Sequence, residues 1–94
     1  MKVADIKFSK YLDGVSARLN FGHINLSIVS HSGSYGGKQG FYEIGVFDDS
    51  NEKMIELSGI TNSGDTVKGW LSENDVDDII SKIQTRTGTN PILI

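Results

Sequence analysis

Two stretches of alternating apolar and polar residues, which meet at Gly22-His23, constrain the fold of this chain more than any other feature. Apolar side chains occupy every second position in residues 15–21 and again in residues 24–28, but on the opposite parity. A period of two is the spacing of a strand with one buried face. The change of parity predicts a two-residue hairpin turn that places Phe21 and Ile24 on one face. A β-bulge within one long strand is the alternative.

Further strands are predicted on both sides of this hairpin. Residues 3–8 are interpreted as an entry strand, followed by an Asp-Gly turn at residues 11–14. Alternation resumes at residues 42–46, and the polar turn at residues 48–52 predicts a second hairpin that continues through residues 54–57. The segment Val67–Leu71 is either a short last strand or a lead into a helix.

The most strongly predicted element is a helix that begins after Ser72. Ser72 is the expected N-cap, Asp75 its capping-box partner, and Gly88 the residue that ends the helix. Its apolar stripe consists of Val76, Ile79, Ile80 and Ile83. We therefore predict one α+β domain over residues 1–94, with a mostly antiparallel sheet of four to six strands and one C-terminal helix packed on one face. The apolar tail, residues 92–94, is expected to dock on its own sheet or on a partner.

Composition excludes several classes of chemistry. The chain has no cysteine, so a disulfide framework, a thiolate nucleophile and a cysteine-ligated metal are excluded. Nine scattered basic residues against twelve acidic ones give a net charge of −3, which disfavours nucleic acid as a partner. No apolar run is long enough for a membrane span or a signal core, so we expect a cytoplasmic protein without a membrane partner.

A glycine-rich loop at residues 30–40 is the first candidate binding site. Two phosphate or RNA motifs fail there: Gln39 stands where a Walker A loop needs a hydroxyl, and the Gly33-to-Gly36 spacing lacks the flanking helices of a KH domain. Three interpretations remain open: a flexible hairpin loop, a protein-recognition loop around Tyr35, and an anion-binding nest that uses Lys38. The candidate binding residues of this loop are His31, Ser34, Tyr35, Gly36, Gly37 and Lys38.

A second candidate set lies at the start of the helix. Trp70, the only tryptophan, is either a core joint between sheet and helix or an interface anchor. Asp75 and Asp78 complement the helix dipole and could also form an acidic patch for a basic partner. The acidic turn at residues 48–52 departs from a calcium loop at Lys53, so we predict neither a metal nor another cofactor.

Two stretches carry a resemblance to known proteins. HSGSYGGKQGFYEIGV (31–46) and TNSGDTVKGWLS (61–72) resemble the small uncharacterised accessory proteins carried by bacteriophages and prophages. The resemblance carries over no catalytic residue. It implies a protein that acts by binding a host protein.

Three functional hypotheses follow from these patterns. The first is a non-enzymatic protein-binding module that uses the glycine-rich loop, the acidic start of the helix or a sheet edge. The second is a binder of, or enzyme for, a phosphorylated metabolite, with Lys38 and His31 as its charged groups. The third is a homodimer formed by edge-strand pairing or by the apolar tail.

Overall fold

The computed structural model describes residues 1–94 and consists of one antiparallel sheet and one α-helix. The sheet has six strands, and β1 to β5 follow one another in space as they do in sequence. The fold class predicted from the sequence is confirmed. The elements are β1 (Ser9–Tyr11), β2 (Gly14–Asn20), β3 (Ile24–Ser30), β4 (Tyr42–Asp48), β5 (Val67–Leu71), α1 (Glu73–Thr87) and β6 (Ile92–Leu93).

The hairpin at Gly22-His23 is present as predicted. The N–H of Phe21 donates to the carbonyl of Ile24 at 2.8 Å and closes the turn. Leu19 then lies opposite Leu26, and Leu26 opposite Val46 on the next strand. These three side chains are fully buried. The register therefore places the apolar positions of β2, β3 and β4 on one face, where α1 covers them.

Two predicted strands are wrong. In place of a strand at residues 3–8, Val3–Asp5 form a 3₁₀ turn, and the N–H of Val3 donates to the Asp77 carboxylate at 2.7 Å. The buried Val3 and Ile6 are three residues apart, a helical spacing that suits packing beside α1. The predicted second hairpin does turn back at residues 48–53, where the N–H of Asp48 donates to the Lys53 carbonyl, but residues 54–57 continue it only as a single bridge, between Phe47 and Met54. Their place beside β4 is taken by β5.

Helix α1 has the predicted boundaries. The Ser72 hydroxyl accepts from the N–H of Asp75, and the Asp75 carboxylate accepts from the N–H of Ser72 at 2.9 Å. Gly88 ends the helix in a left-handed conformation with φ 65°. All four residues of the predicted stripe are buried and belong to the single hydrophobic cluster between sheet and helix.

The apolar tail docks on its own sheet. In β6, Ile92 pairs with Asn20 and Leu93 with Leu19 of β2, beside the end of β2 that β1 leaves free. The side chains of Ile92 and Ile94 nevertheless remain 64% exposed. Helix α1 is too short and too polar to cross a membrane, and the structure has no other α-helix.

Candidate functional site

The glycine-rich loop is a compact structure held by its own backbone. The Ser34 hydroxyl both accepts from the N–H of His31 at 2.9 Å and donates to the His31 carbonyl at 2.8 Å. Residues Gly37–Gln39 form a short 3₁₀ turn. A Cβ at Gly37 would overlap the His31 carbonyl oxygen, so only glycine allows this close approach. These contacts give the loop a defined backbone shape.

Nearly all backbone N–H groups between His31 and Phe41 donate inside the protein. The donors are His31, Ser32, Gly33, Ser34, Tyr35, Gly37, Gln39, Gly40 and Phe41. An anion nest needs several such groups free and convergent on one ligand. This arrangement weighs against the phosphate interpretation of the loop.

His31 is held in place by contacts within the protein. Its Nδ1 accepts from the N–H of Gly33 at 3.0 Å, and its ring meets the edge of Tyr11 at a centroid distance of 5.4 Å. A ring nitrogen that is already hydrogen-bonded to the backbone cannot serve as a free base. We interpret His31 as a structural residue of the loop.

The loop docks against β5, which the sequence alone does not indicate. The Tyr35 carbonyl accepts from the N–H of Trp70 at 3.2 Å, and the Tyr35 N–H donates to the Glu43 carboxylate at 3.1 Å. Tyr35 also packs directly on Gly69, where any Cβ would overlap the Tyr35 Cβ. These contacts bring together two residues that are far apart in sequence and were both predicted as candidates.

The docked loop creates an exposed aromatic patch, defined here as Tyr35, Phe41 and Trp70. Their exposed fractions are 62%, 37% and 59%. The rings of Phe41 and Trp70 lie 6.1 Å apart with an interplanar angle of 52°. Phe41 was not among the predicted site residues; its position directly after the loop was the available signal. Of the four exposed aromatic side chains, Tyr11, Tyr35, Phe41 and Trp70, three belong to this patch.

Trp70 stands out for its backbone as well as its exposure. Its φ is +58°, in the left-handed region that bulky residues rarely occupy. The residue sits at a β-bulge, because the register of β5 against β4 shifts between Tyr42 and Ile44. The interpretation of Trp70 as a buried joint between sheet and helix is therefore wrong. Its side chain points to solvent, and Leu71 is the buried residue at this junction.

Some of the remaining candidate residues are buried and stabilise the loop, and the others are exposed next to the aromatic patch. Ser34 and Gly36 are buried and support the loop, whereas Lys38 is exposed beside Tyr35 and Trp70. Asp75 and Asp78 are exposed on the other side of Trp70, on α1. The hydrogen bonds from Ser72, its backbone N–H first and its hydroxyl second, hold the pKa of Asp75 below the usual value. Asp75 therefore has a structural role as a helix cap, whatever it contacts.

No group of three or more His, Asp or Glu side chains is arranged to hold a metal ion. The largest surface depression, about 410 Å³, lies between the N-terminus and α1 and is lined by Met1 and by polar side chains. It is open, and its side chains include none of the candidate loop residues. The aromatic patch is thus the candidate site that the geometry supports best.

Comparison with known proteins provides no identification. No protein-family model, curated protein or solved structure matches this chain.

Proposed function

We propose that this protein is a non-enzymatic protein-binding module that contacts its partner through the aromatic patch. The observation that carries the proposal is Trp70, which is 59% exposed and has a left-handed backbone. Neither core burial nor backbone preference accounts for a tryptophan there. Strained residues of this kind concentrate at functional sites, and Trp and Tyr are the residues most enriched at protein interfaces.

The ordered loop supports the same proposal. Binding is weakened by the entropy lost when a mobile loop becomes fixed. Here the backbone at Tyr35 is held at both its N–H and its carbonyl, by Glu43 and Trp70. Tyr35 is therefore presented by a loop that needs little further ordering. A tyrosine side chain has few rotatable bonds, so it loses little conformational entropy when it is fixed in an interface.

The resemblance to small phage and prophage proteins favours a host protein in the cytoplasm as the partner. Proteins of that kind often act through a host protein. The alternative, a phosphorylated metabolite, has less support because the loop amides are already hydrogen-bonded and Lys38 is the only cation lining that side of the patch.

The test is photo-crosslinking from the patch. A photoreactive phenylalanine derivative replaces Tyr35, the purified protein is irradiated in an extract of cells that carry the gene, and cross-linked proteins are identified by mass spectrometry. We expect one predominant partner. Tyr35→Ala and Trp70→Gly should then each weaken binding of that purified partner by roughly tenfold or more.

The control is Ile92→Ala, which removes a side chain of similar exposure, 64%, from β6. It should bind the partner as the wild type does. Trp70→Gly relieves a left-handed strain of roughly 1–2 kcal/mol, so its stability should stay close to that of the wild type. If both patch variants bind normally, the patch is not the interface.

A further inference from the structure

A groove lies between two of the exposed rings of the aromatic patch and the glycine-rich loop. Tyr35, Gly36, Lys38, Gln39 and Trp70 are among the residues that line this loop groove, and its volume is about 300 Å³. That volume is at the lower end for ligand pockets, and the groove is open to solvent. A small molecule bound there would stay largely exposed. A segment of a longer chain suits the groove better.

The aromatic side of the groove rests on ordered backbone. A Cβ added at Gly36 would lie only 3.0 Å from the Trp70 ring, so this glycine allows the ring to pack on the loop. The Phe41 ring lies 6.1 Å from the Trp70 ring. The backbone of Tyr35 is fixed by its hydrogen bonds to Trp70 and Glu43. A ligand therefore meets apolar ring surface that needs little ordering.

The groove also contains hydrogen-bond donors that the protein does not use. The Lys38 ammonium and the indole N–H of Trp70 can only donate, and the Gln39 amide can donate or accept. All three side chains are exposed. The side-chain hydrogen bonds of the loop involve other residues, so these donors are free for a ligand.

Acceptors are fewer than donors in the same groove. No carboxylate lines it. The backbone carbonyls of Ser34, Tyr35 and Gly36 already accept from N–H groups of the protein, and that of Gly36 accepts from two. The groove therefore suits a ligand that brings acceptors but few donors. An ordinary peptide brings one N–H with every carbonyl.

A proline-rich segment has the required chemistry. Proline has no backbone N–H, and in the polyproline II conformation the carbonyls make no internal hydrogen bonds. Such segments bind in aromatic-lined grooves in several peptide-recognition domains. Prolines three positions apart share one face of this helix and lie about 9 Å from each other. One segment can therefore contact both the loop groove and Phe41.

We infer that the partner presents a proline-rich segment in the polyproline II conformation, which packs a proline between Tyr35 and Trp70 and accepts hydrogen bonds from Lys38 and Trp70. This inference rests on the proposed function. A carbohydrate would also stack on the rings, but its hydroxyl groups donate as well as accept. It would need acceptors, of which the groove offers few.

The test is selection from a displayed library of short random peptides on the immobilised wild-type protein. We expect enrichment of sequences with prolines three positions apart. The selected peptide, synthesised without tryptophan, should change the fluorescence of Trp70, the only tryptophan of the chain. Replacing its prolines with alanine should abolish this change at the same concentration. No enrichment, or enrichment without proline, would overturn the inference.

Variants of the groove provide the matched comparison, with binding measured by the anisotropy of a dye-labelled copy of the selected peptide. Tyr35→Ala and Trp70→Gly should each weaken binding by roughly tenfold or more. Lys38→Met keeps an aliphatic side chain but removes the donors, and should weaken binding by roughly threefold. Lys53→Met makes the same change in charge in the turn after β4, and should bind as the wild type does.

Two results with these variants would overturn the inference. One is normal binding of the peptide by Tyr35→Ala and Trp70→Gly, and the other is equal binding by the two lysine variants. Added salt provides a further check: binding should change little, because the acceptors of the segment are uncharged carbonyls. A steep loss of affinity with salt would indicate an acidic ligand and contradict the inference.

The cross-linked partner separates failure of this inference from failure of the proposed function. We expect the cross-link to lie in a proline-rich segment, and the selected peptide to compete with the partner. If Tyr35→Ala and Trp70→Gly weaken partner binding but the cross-linked segment has no proline, only the inference is wrong. If cellohexaose changes Trp70 fluorescence at lower concentration than the selected peptide, the groove is a carbohydrate site and the inference is wrong.

Discussion

Helix α1 and the aromatic patch both carry large hydrophobic side chains, but they use them in opposite ways. The stripe of α1 is almost completely removed from solvent, at 0–5% exposure, whereas the three patch residues are 37–62% exposed. Burial of an aliphatic side chain stabilises the fold by about 1.5–3 kcal/mol, and an exposed side chain contributes little of that. The comparison indicates that stability resides in the helix–sheet interface, and that the patch is available for another molecule.

The two regions also differ in what holds them in place. The ends of α1 are fixed by neighbours in sequence, Ser72 with Asp75 and Gly88 with Gln84. The patch depends on contacts between distant residues, above all the bond from the N–H of Trp70 to Tyr35. A change in the helix should therefore alter global stability, and a change under the patch should alter local order and binding.

The largest expected effect is that of Ile80→Ala. Ile80 is fully buried, so its truncation leaves a cavity and should lower the free energy of unfolding by about 2–5 kcal/mol. Urea unfolding followed by circular dichroism measures the change. Partner binding by the fraction that remains folded should be normal. A loss below about 1 kcal/mol would contradict the assignment of the core to this interface.

Gly69→Ala should have the next largest effect. The new Cβ overlaps Tyr35, and relieving such an overlap costs about 1–3 kcal/mol or undocks the loop. We expect faster hydrogen exchange at the Trp70 amide together with weaker partner binding. Tyr35→Gly in the same chain removes the overlapping atom and should restore exchange protection without restoring binding. Unchanged exchange in the single variant would show that Tyr35 does not hold β5.

The smallest expected effect is on how folding stability falls at low pH, and it compares one carboxylate near the loop with one at the helix. Hydrogen bonding from Ser32, its side chain first, lowers the pKa of Asp13 beneath the loop, and Ser72 lowers that of Asp75 at the helix. A lowered pKa in the folded state stabilises the fold above the unfolded value, about 3.9, and this contribution is lost as pH falls through the folded value. Asp13→Asn and Asp75→Asn should each flatten the loss of stability below about pH 4. An unchanged acid profile in both would contradict these linkages.

Local patterns were sufficient where the residues that decide the structure are adjacent in sequence. The hairpin at Gly22-His23 and the helix from Ser72 to Gly88 were predicted correctly for this reason. Residues 54–57 were assigned to a strand because their pattern is apolar. In the structure two segments, residues 54–57 and β5, lie on the same side of β4, and Val46 of β4 has one N–H and one carbonyl to share between them. Its carbonyl accepts from the N–H of Ile55, while its N–H donates to the carbonyl of Thr66, the residue just before β5. Sequence alone does not show which segment pairs further.

The candidate site was predicted only in pieces. Tyr35, Lys38 and Trp70 were each identified, but in two separate sets, and Phe41 was missed. Residue type and loop composition indicated Tyr35 and Trp70 as candidates. That they lie side by side depends on the packing of Tyr35 on Gly69, and these two residues belong to different parts of the fold. The left-handed backbone of Trp70 also has no local signature, since glycine and not tryptophan is the usual residue there.

The sequence by itself thus determined the strand and helix periods, the caps and the absence of thiol chemistry, because each depends on residue type and on neighbours a few positions away. Only the tertiary structure decided that Trp70 is exposed, that the loop docks on β5, and that Lys38 lies beside Tyr35 and Trp70. Those features depend on how distant segments pack, and side-chain burial arises only after packing.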